Sequence, residues 1–243
     1  MDALSINFKL SKAQDLKVAM GFIKEASFSD GQNLEWAFKK LHKSIFTYIR
    51  KGQDIKKIKS FVATYLDEYY SKHIDVLKIN LIKAKKNWLK VEQQYIFLLK
   101  NLFPKYKLPV RAIKAYITIW GMYPRDIDHL IFWIPDTYNP VSYINVTIAH
   151  ELLHFAFYNQ FYKQYPKYKN RKYNYFVWQI SEIFNSVVQR SQEWLLVFKM
   201  PNMGYPDQEK LVNKLAKEYP HDIDAKELIK DILKQVLLIN SSQ

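Results

Sequence analysis

The chain has 243 residues, 49% of them apolar or aromatic and none of them cysteine. That hydrophobicity supports a sizeable core and argues against disorder, and the absence of cysteine excludes disulfides, thiolate ligands and cysteine nucleophiles, so any metal must be held by His, Asp or Glu. The formal net charge of +14 would attract nucleic acid, anionic lipid or acidic proteins, although lysines spread along the whole chain also read as a solubilising surface.

The first residues lack the basic-then-apolar layout of a signal peptide. No apolar run approaches the roughly 20 residues needed to span a bilayer. The expectation is a soluble, cytoplasmic protein.

Apolar residues recur at three- and four-residue steps from Ala13 to about Arg50, through Leu16, Ala19, Met20 and Ile23, then Leu34, Phe38, Leu41, Ile45 and Tyr48. This predicts two helices, interrupted at residues 29–31. A longer helical stretch follows from Asp54 to about Asn101, with Pro104 and Pro109 as its boundary. The chain then changes character. Residues 115–120 and 129–134 are rich in β-branched and aromatic side chains and read as two neighbouring strands, with a turn at 135–140. Helical periodicity returns over residues 142–162 and 175–198. After a break at 201–206, two more helices are expected over 207–219 and 224–239, each opened by an Asp suited to an N-cap.

The chemistry is concentrated in His150-Glu151-Leu152-Leu153-His154. Two His residues four apart on a helix project from one face, so their imidazole nitrogens can converge on one ion at ~2 Å. Glu151, rotated by about 100°, cannot easily join that coordination plane. It can reach a water in an open fourth position and act as general base. From Ser142 to Tyr162 no other charge intrudes, so the helix reads as buried. An unpaired Glu inside it would be costly, and a metal site resolves that cost.

Ile148-Ala-His-Glu-Leu-Leu-His-Phe-Ala156 resembles the extended motif of the zincin metallopeptidases. Phe157 and Gln160 stand where the metzincin extension HExxHxxGxxH would place Gly and His, so that subfamily pattern is absent. The gluzincins instead take a Glu from a following helix, and Glu182, 28 residues after His154, is similar in spacing and setting. The resemblance, over about residues 113–200, implies one zinc held by His150, His154 and Glu182, with Glu151 as catalytic base. It also implies a small sheet before the motif helix, with residues 129–134 as an edge strand pairing with a peptide or protein substrate. The acidic residue that often orients the first His is replaced here by Ser186, with Asn185 beside it.

Glu193, three helical turns beyond Glu182, competes for the third ligand. Tyr173, Tyr175, Arg190 and His221 are candidates to stabilise an oxyanion. The expected fold is α+β and predominantly helical: a helical lobe over residues 1–105, a zincin-like core with a small sheet over 106–200, and a helical tail over 201–243. The expected activity is zinc-dependent peptide-bond hydrolysis. The rival is a basic nucleic-acid-binding protein with a structural or degenerate metal site. Its support is the net charge, the alternation of cations and rings over residues 162–175, and the runs Lys56-Lys57-Ile58-Lys59 and Lys83-Ala84-Lys85-Lys86.

Overall fold

In the computed structural model the described residues are 4–25, 38–39, 42–136, 143–201 and 204–241. Helix dominates them, with one small mixed sheet of four strands, in line with the expected fold class. The interruption read at residues 29–31, and all but the first two residues of the turn read at 135–140, lie outside the described residues. No described helix is long and apolar enough to cross a membrane. The chain groups into two compact units, residues 5–86 with 111–144, and residues 1–4 with 87–110 and 145–243. The units interleave along the sequence, where the sequence reading drew consecutive segments divided at 105 and 200.

The first unit holds the sheet, whose strands are β1 (Ile6–Leu10), β2 (Ile113–Thr118), β3 (Arg125–Asp126) and β4 (Ile131–Pro135), in the order β1-β2-β4-β3. β1 runs parallel to β2, with Ile6 opposite Ile113. β2 runs parallel to β4, with Lys114 opposite Ile131, and β3 is antiparallel to β4. β2 and β4 are the two strands read from the sequence. β1 escaped that reading: Ile6, Phe8 and Leu10 alternate with Asn7 and Lys9 over only five residues, a short signal that gains its meaning from a partner more than a hundred positions away.

The expectation that residues 129–134 form an edge strand is corrected. β4 is an interior strand with β2 on one side and β3 on the other, and all five of its residues are buried. The chain between β2 and β4 folds back against the outer side of β4. There β3 pairs with Ile131 and Phe132, and the Trp133 N–H donates to the Pro124 carbonyl at 3.1 Å. On the far side of the sheet, the edge strand is β1.

Helices α1 (Lys12–Glu25), α2 (Lys43–Arg50) and most of α3 (Ile55–Leu89) belong to the same unit. Their apolar faces, including Val18, Ala19, Ile45, Val62, Leu66 and Leu77, form one core with Ile119, Trp120 and Trp133. Two ionisable groups are enclosed with it and held locally by hydrogen bonds. One ring nitrogen of His42 lies 2.8 Å from the Tyr65 hydroxyl and the other 2.9 Å from the Ile119 carbonyl, so both of its polar atoms are consumed. Asp15 is fully buried and accepts a hydrogen bond from the Tyr70 hydroxyl at 2.7 Å.

The second unit is helical: α4 (Glu92–Leu102), α5 (Tyr143–Gln164), α6 (Asn174–Val188), α7 (Gln192–Phe198), α8 (Glu209–Glu218) and α9 (Ala225–Ser241). The stretch read as one helix from residue 54 to 101 is two, broken at Lys90 and Val91. The stretch from 175 to 198 is also two, because the chain turns at 189–191 and Ser191 caps α7 by accepting from the Trp194 N–H at 3.3 Å. Asp224 caps α9 as expected, accepting from the amides of Lys226 and Glu227 at 2.7 and 3.3 Å. Asp207 does not cap α8; it sits in a preceding 3-10 turn, Pro206–Gln208. α6 is the hub of this unit. It packs on α8 and α9, and its Phe184 ring lies 5.2 Å from Phe157 of α5 and 5.7 Å from Phe103.

Burial raises the Asp15 carboxyl to about 6; hydrogen bonds from Thr118, Tyr70 and the Ile119 backbone oppose the rise and the nearby Asp136 charge adds to it. Its proton is therefore held more tightly in the folded chain than in the unfolded one. Stability is greatest where Asp15 is protonated in both states, and it falls as pH rises from the unfolded value toward the folded one. The Asp15→Asn variant should remove that fall. Relative to the parent it should gain on the order of 3 kcal/mol between about pH 4 and pH 7. Urea unfolding of both proteins across that range measures it; parallel curves would show that Asp15 does not titrate there.

Candidate metal centre

α5 is buried at every position from Asn145 to Phe157. Within that run His150 and His154 stand one turn apart, and their Nε2 atoms are 3.1 Å from each other. α6 brings Glu182 against both: Oε2 lies 3.3 Å from His150 Nε2, and Oε1 lies 3.5 Å from His154 Nε2. The three side chains are 8%, 0% and 4% exposed for His150, His154 and Glu182. Among the described residues, this is the one group of three His, Asp or Glu residues whose ligand atoms gather closely enough to hold a metal.

The separations test the fit. Tetrahedral zinc with bonds of about 2.0–2.1 Å has its ligand atoms about 3.3–3.4 Å apart. The two imidazole nitrogens are 3.1 Å apart, and each lies 3.3 or 3.5 Å from a different oxygen of Glu182, separations close to that value. The donor set is one carboxylate and two imidazoles, all suited to zinc and all able to act without cysteine. The buried His-His-Glu group is what the geometry supplies, a set of donors that could hold a metal ion.

Both imidazoles turn Nε2 toward Glu182, which leaves Nδ1 to be oriented from the other side. At His150 the Gln189 side-chain amide lies 2.8 Å from Nδ1. Ligation through Nε2 requires the proton on Nδ1, so the Gln189 amide must present its oxygen, an orientation reached by turning the amide over. Asn185 donates from Nδ2 to the His150 carbonyl at 3.1 Å. The sequence had pointed to Ser186 for this role. Its Oγ instead faces Gly204, where an added Cβ would come within 3.2 Å, and its carbonyl accepts from Arg190 at 2.9 Å. Gln189 was missed, although it lies seven residues after Glu182 and hence near the same helix face.

Glu151 is 4% exposed, next to His150, and is not one of the three gathered residues. Glu193 is not part of the group. α6 ends at Val188, the turn that follows breaks the three-turn register, and Glu193 Oε1 accepts from the Asp222 amide at 3.0 Å. The oxyanion candidates are engaged elsewhere. Arg190 makes two bonds to Glu209 at 3.0 and 3.1 Å. His221 is exposed beside Asp222. Tyr173 packs edge-on against Tyr168, and Tyr175 stacks on Trp178. A phenol that the sequence reading passed over, Tyr158, lies one turn beyond His154 with ring centroids 6.3 Å apart.

Within residues 162–175, Pro166–Lys169 and Arg171–Tyr173 form two short 3-10 turns between α5 and α6. Tyr168 is buried against Phe161 and Phe176. Lys167 and Lys172 lie over the rings of Tyr168 and Tyr173 at 5.0 and 4.8 Å.

The chain matches no protein-family profile, no curated protein and no solved structure.

If Gln189 orients His150, Gln189→Ala should weaken zinc binding by roughly 10- to 100-fold. Gln189→Glu, which keeps an acceptor at the same reach, should restore it. Competition against a chromophoric chelator reads both affinities directly, without any assay of activity. Equal losses in the two variants would reduce Gln189 to a packing role.

Proposed function

We propose that this chain is a zinc-dependent peptidase with a zincin-like core, using the HExxH helix α5 and Glu182 of α6 as its metal-binding frame. The observation that carries the reading is the buried convergence of His150 and His154 Nε2, 3.1 Å apart, with the two carboxylate oxygens of Glu182 at 3.3 and 3.5 Å from them. The motif itself supports it, because a buried Glu beside the first His has a chemical purpose in hydrolysis and none in a purely structural site. Bound zinc would supply Lewis acidity toward a scissile carbonyl and make water easier to deprotonate.

The chain's own residues divide the remaining work. His150 and His154 present Nε2, and Glu182 presents its carboxylate between them. Gln189 and Asn185 fix the His150 ring and backbone. Glu151 takes the proton from the attacking water as its oxygen bonds to the carbonyl carbon, and delivers that proton to the amide nitrogen as the C–N bond then breaks and the amine leaves. Enclosure by apolar side chains strengthens these charge interactions relative to water. We take the compartment to be the cytoplasm, which a cysteine-free chain suits.

The nucleic-acid-binding alternative is the weaker reading. A structural zinc normally has four protein ligands, and the described residues gather three. The buried Tyr168 ring is packed into the protein, so the cation–ring alternation offers fewer faces for base stacking than its sequence suggests.

Protein purified without chelator should carry one zinc per chain by elemental analysis, and His150→Ala or His154→Ala should abolish stoichiometric metal. Protein that carries no zinc and takes none up would overturn the proposal. Glu151→Gln should retain the metal and lose roughly 10²–10⁴ in turnover of a peptide library followed by mass spectrometry. Hydrolysis undiminished in that variant would remove Glu151 from the role of base.

A further inference from the structure

The outer face of α3 combines two kinds of side chain that a merely solvated helix does not need together. Val76, Ile79 and Ile82 are 53%, 50% and 53% exposed. At 100° per residue they fall within an arc of about 120° and form one stripe along roughly two turns. Lys72, Lys78, Lys83, Lys85 and Lys86 are exposed beside and between them. The one acidic residue of this stretch, Asp75, lies 3.7 Å from Lys78. Leu77 and Ala84, on the opposite face, are buried. Hydration accounts for the lysines of the run Lys83-Ala84-Lys85-Lys86 but not for three neighbouring aliphatic side chains left in water. Single exposed apolar residues are ordinary, whereas a contiguous stripe marks a surface with a partner.

We propose that this face of α3 docks on an anionic lipid bilayer, lying along its surface. The charge selects the occupant. A second copy of the chain would set five lysines against five lysines. Nucleic acid would engage the lysines and leave the aliphatic stripe in water. An anionic bilayer satisfies both: headgroup phosphates meet the ammonium groups, and Val76, Ile79 and Ile82 enter the boundary between headgroups and acyl chains. The long lysine stems lie along the apolar surface while their charges stay at the headgroups. The helix would rest on the membrane, in keeping with its being too polar to cross one.

The test is co-sedimentation of the full chain with vesicles of phosphatidylcholine alone and of phosphatidylcholine mixed with phosphatidylglycerol. Binding should require the anionic lipid. Some of it should persist at salt concentrations that screen purely electrostatic attraction. Ile79→Asp combined with Ile82→Asp should weaken binding at least about tenfold, and Lys83→Glu combined with Lys86→Glu should do the same. All four positions are exposed, so far-UV circular dichroism and the thermal midpoint should be unchanged; a variant that fails this check is replaced by Ile79→Ser with Ile82→Ser. Binding that is indifferent to the isoleucines and vanishes with salt would be the generic response of a strongly cationic chain and would overturn the proposal. So would absence of binding to the mixed vesicles. A dimer in sedimentation equilibrium that is lost in the isoleucine variant would also overturn it, by assigning the stripe to a second copy.

Discussion

A carboxylate and two imidazoles enclosed between apolar helices must compensate one another, and that demand fixes α5 and α6 at one separation and one rotation. The means are visible on α6. Glu182, Asn185 and Gln189 occupy positions i, i+3 and i+7, one stripe of the helix, and each reaches His150 or His154. Phe184 points away from that stripe and packs on Phe157 and Phe103. Polar convergence and aromatic packing therefore set the same helix pair from two sides. An imidazole shifted by one rotamer would leave a charge without a partner in a low-dielectric setting, which costs more than the packing could return.

The sheet-bearing unit provides a contrast within the same chain. His42 is also buried, yet both of its nitrogens are spent on Tyr65 and Ile119, and burial lowers its tendency to take a proton. Asp15 is also buried, and its carboxyl is held by Tyr70. Each is held by ordinary hydrogen bonds to its own neighbours, and among the described residues neither is gathered with other His, Asp or Glu side chains as a ligand group. At His150 and His154 the Nε2 atoms face each other and a carboxylate, an arrangement of electron-pair donors that could hold a cation. Burial of an ionisable residue does not by itself mark a site. Convergence of donor atoms does.

The large positive charge has no single location. Lysines sit on the outer face of α3, on the turns between α5 and α6, and at exposed positions of α8 and α9. Some are absorbed locally, as where Lys167 and Lys172 cover tyrosine rings. Others, along α3, stand next to exposed aliphatic side chains. Charge acquires functional meaning only through such neighbours, since a cation in water is worth little until a partner removes the water.

The sequence by itself determined the local matters. The spacing of His150 and His154 was legible because an i, i+4 pair must share a helix face, and the apolar residues around them marked α5 as buried. Strands β2 and β4 were legible from β-branched and aromatic content, and Asp224 from its capping chemistry. Tertiary structure decided whatever depended on a distant partner. β1 became a strand because residues 113–117 pair with it. β4 became interior because β3 folds back on it. α6 ended at Val188, which separated Glu193 from Glu182, and the ring of His150 was met by Gln189 rather than Ser186. Periodicity reports which face of an element is apolar, but the rotation of one helix against another is set by packing over its whole length, and no short run of residues encodes it.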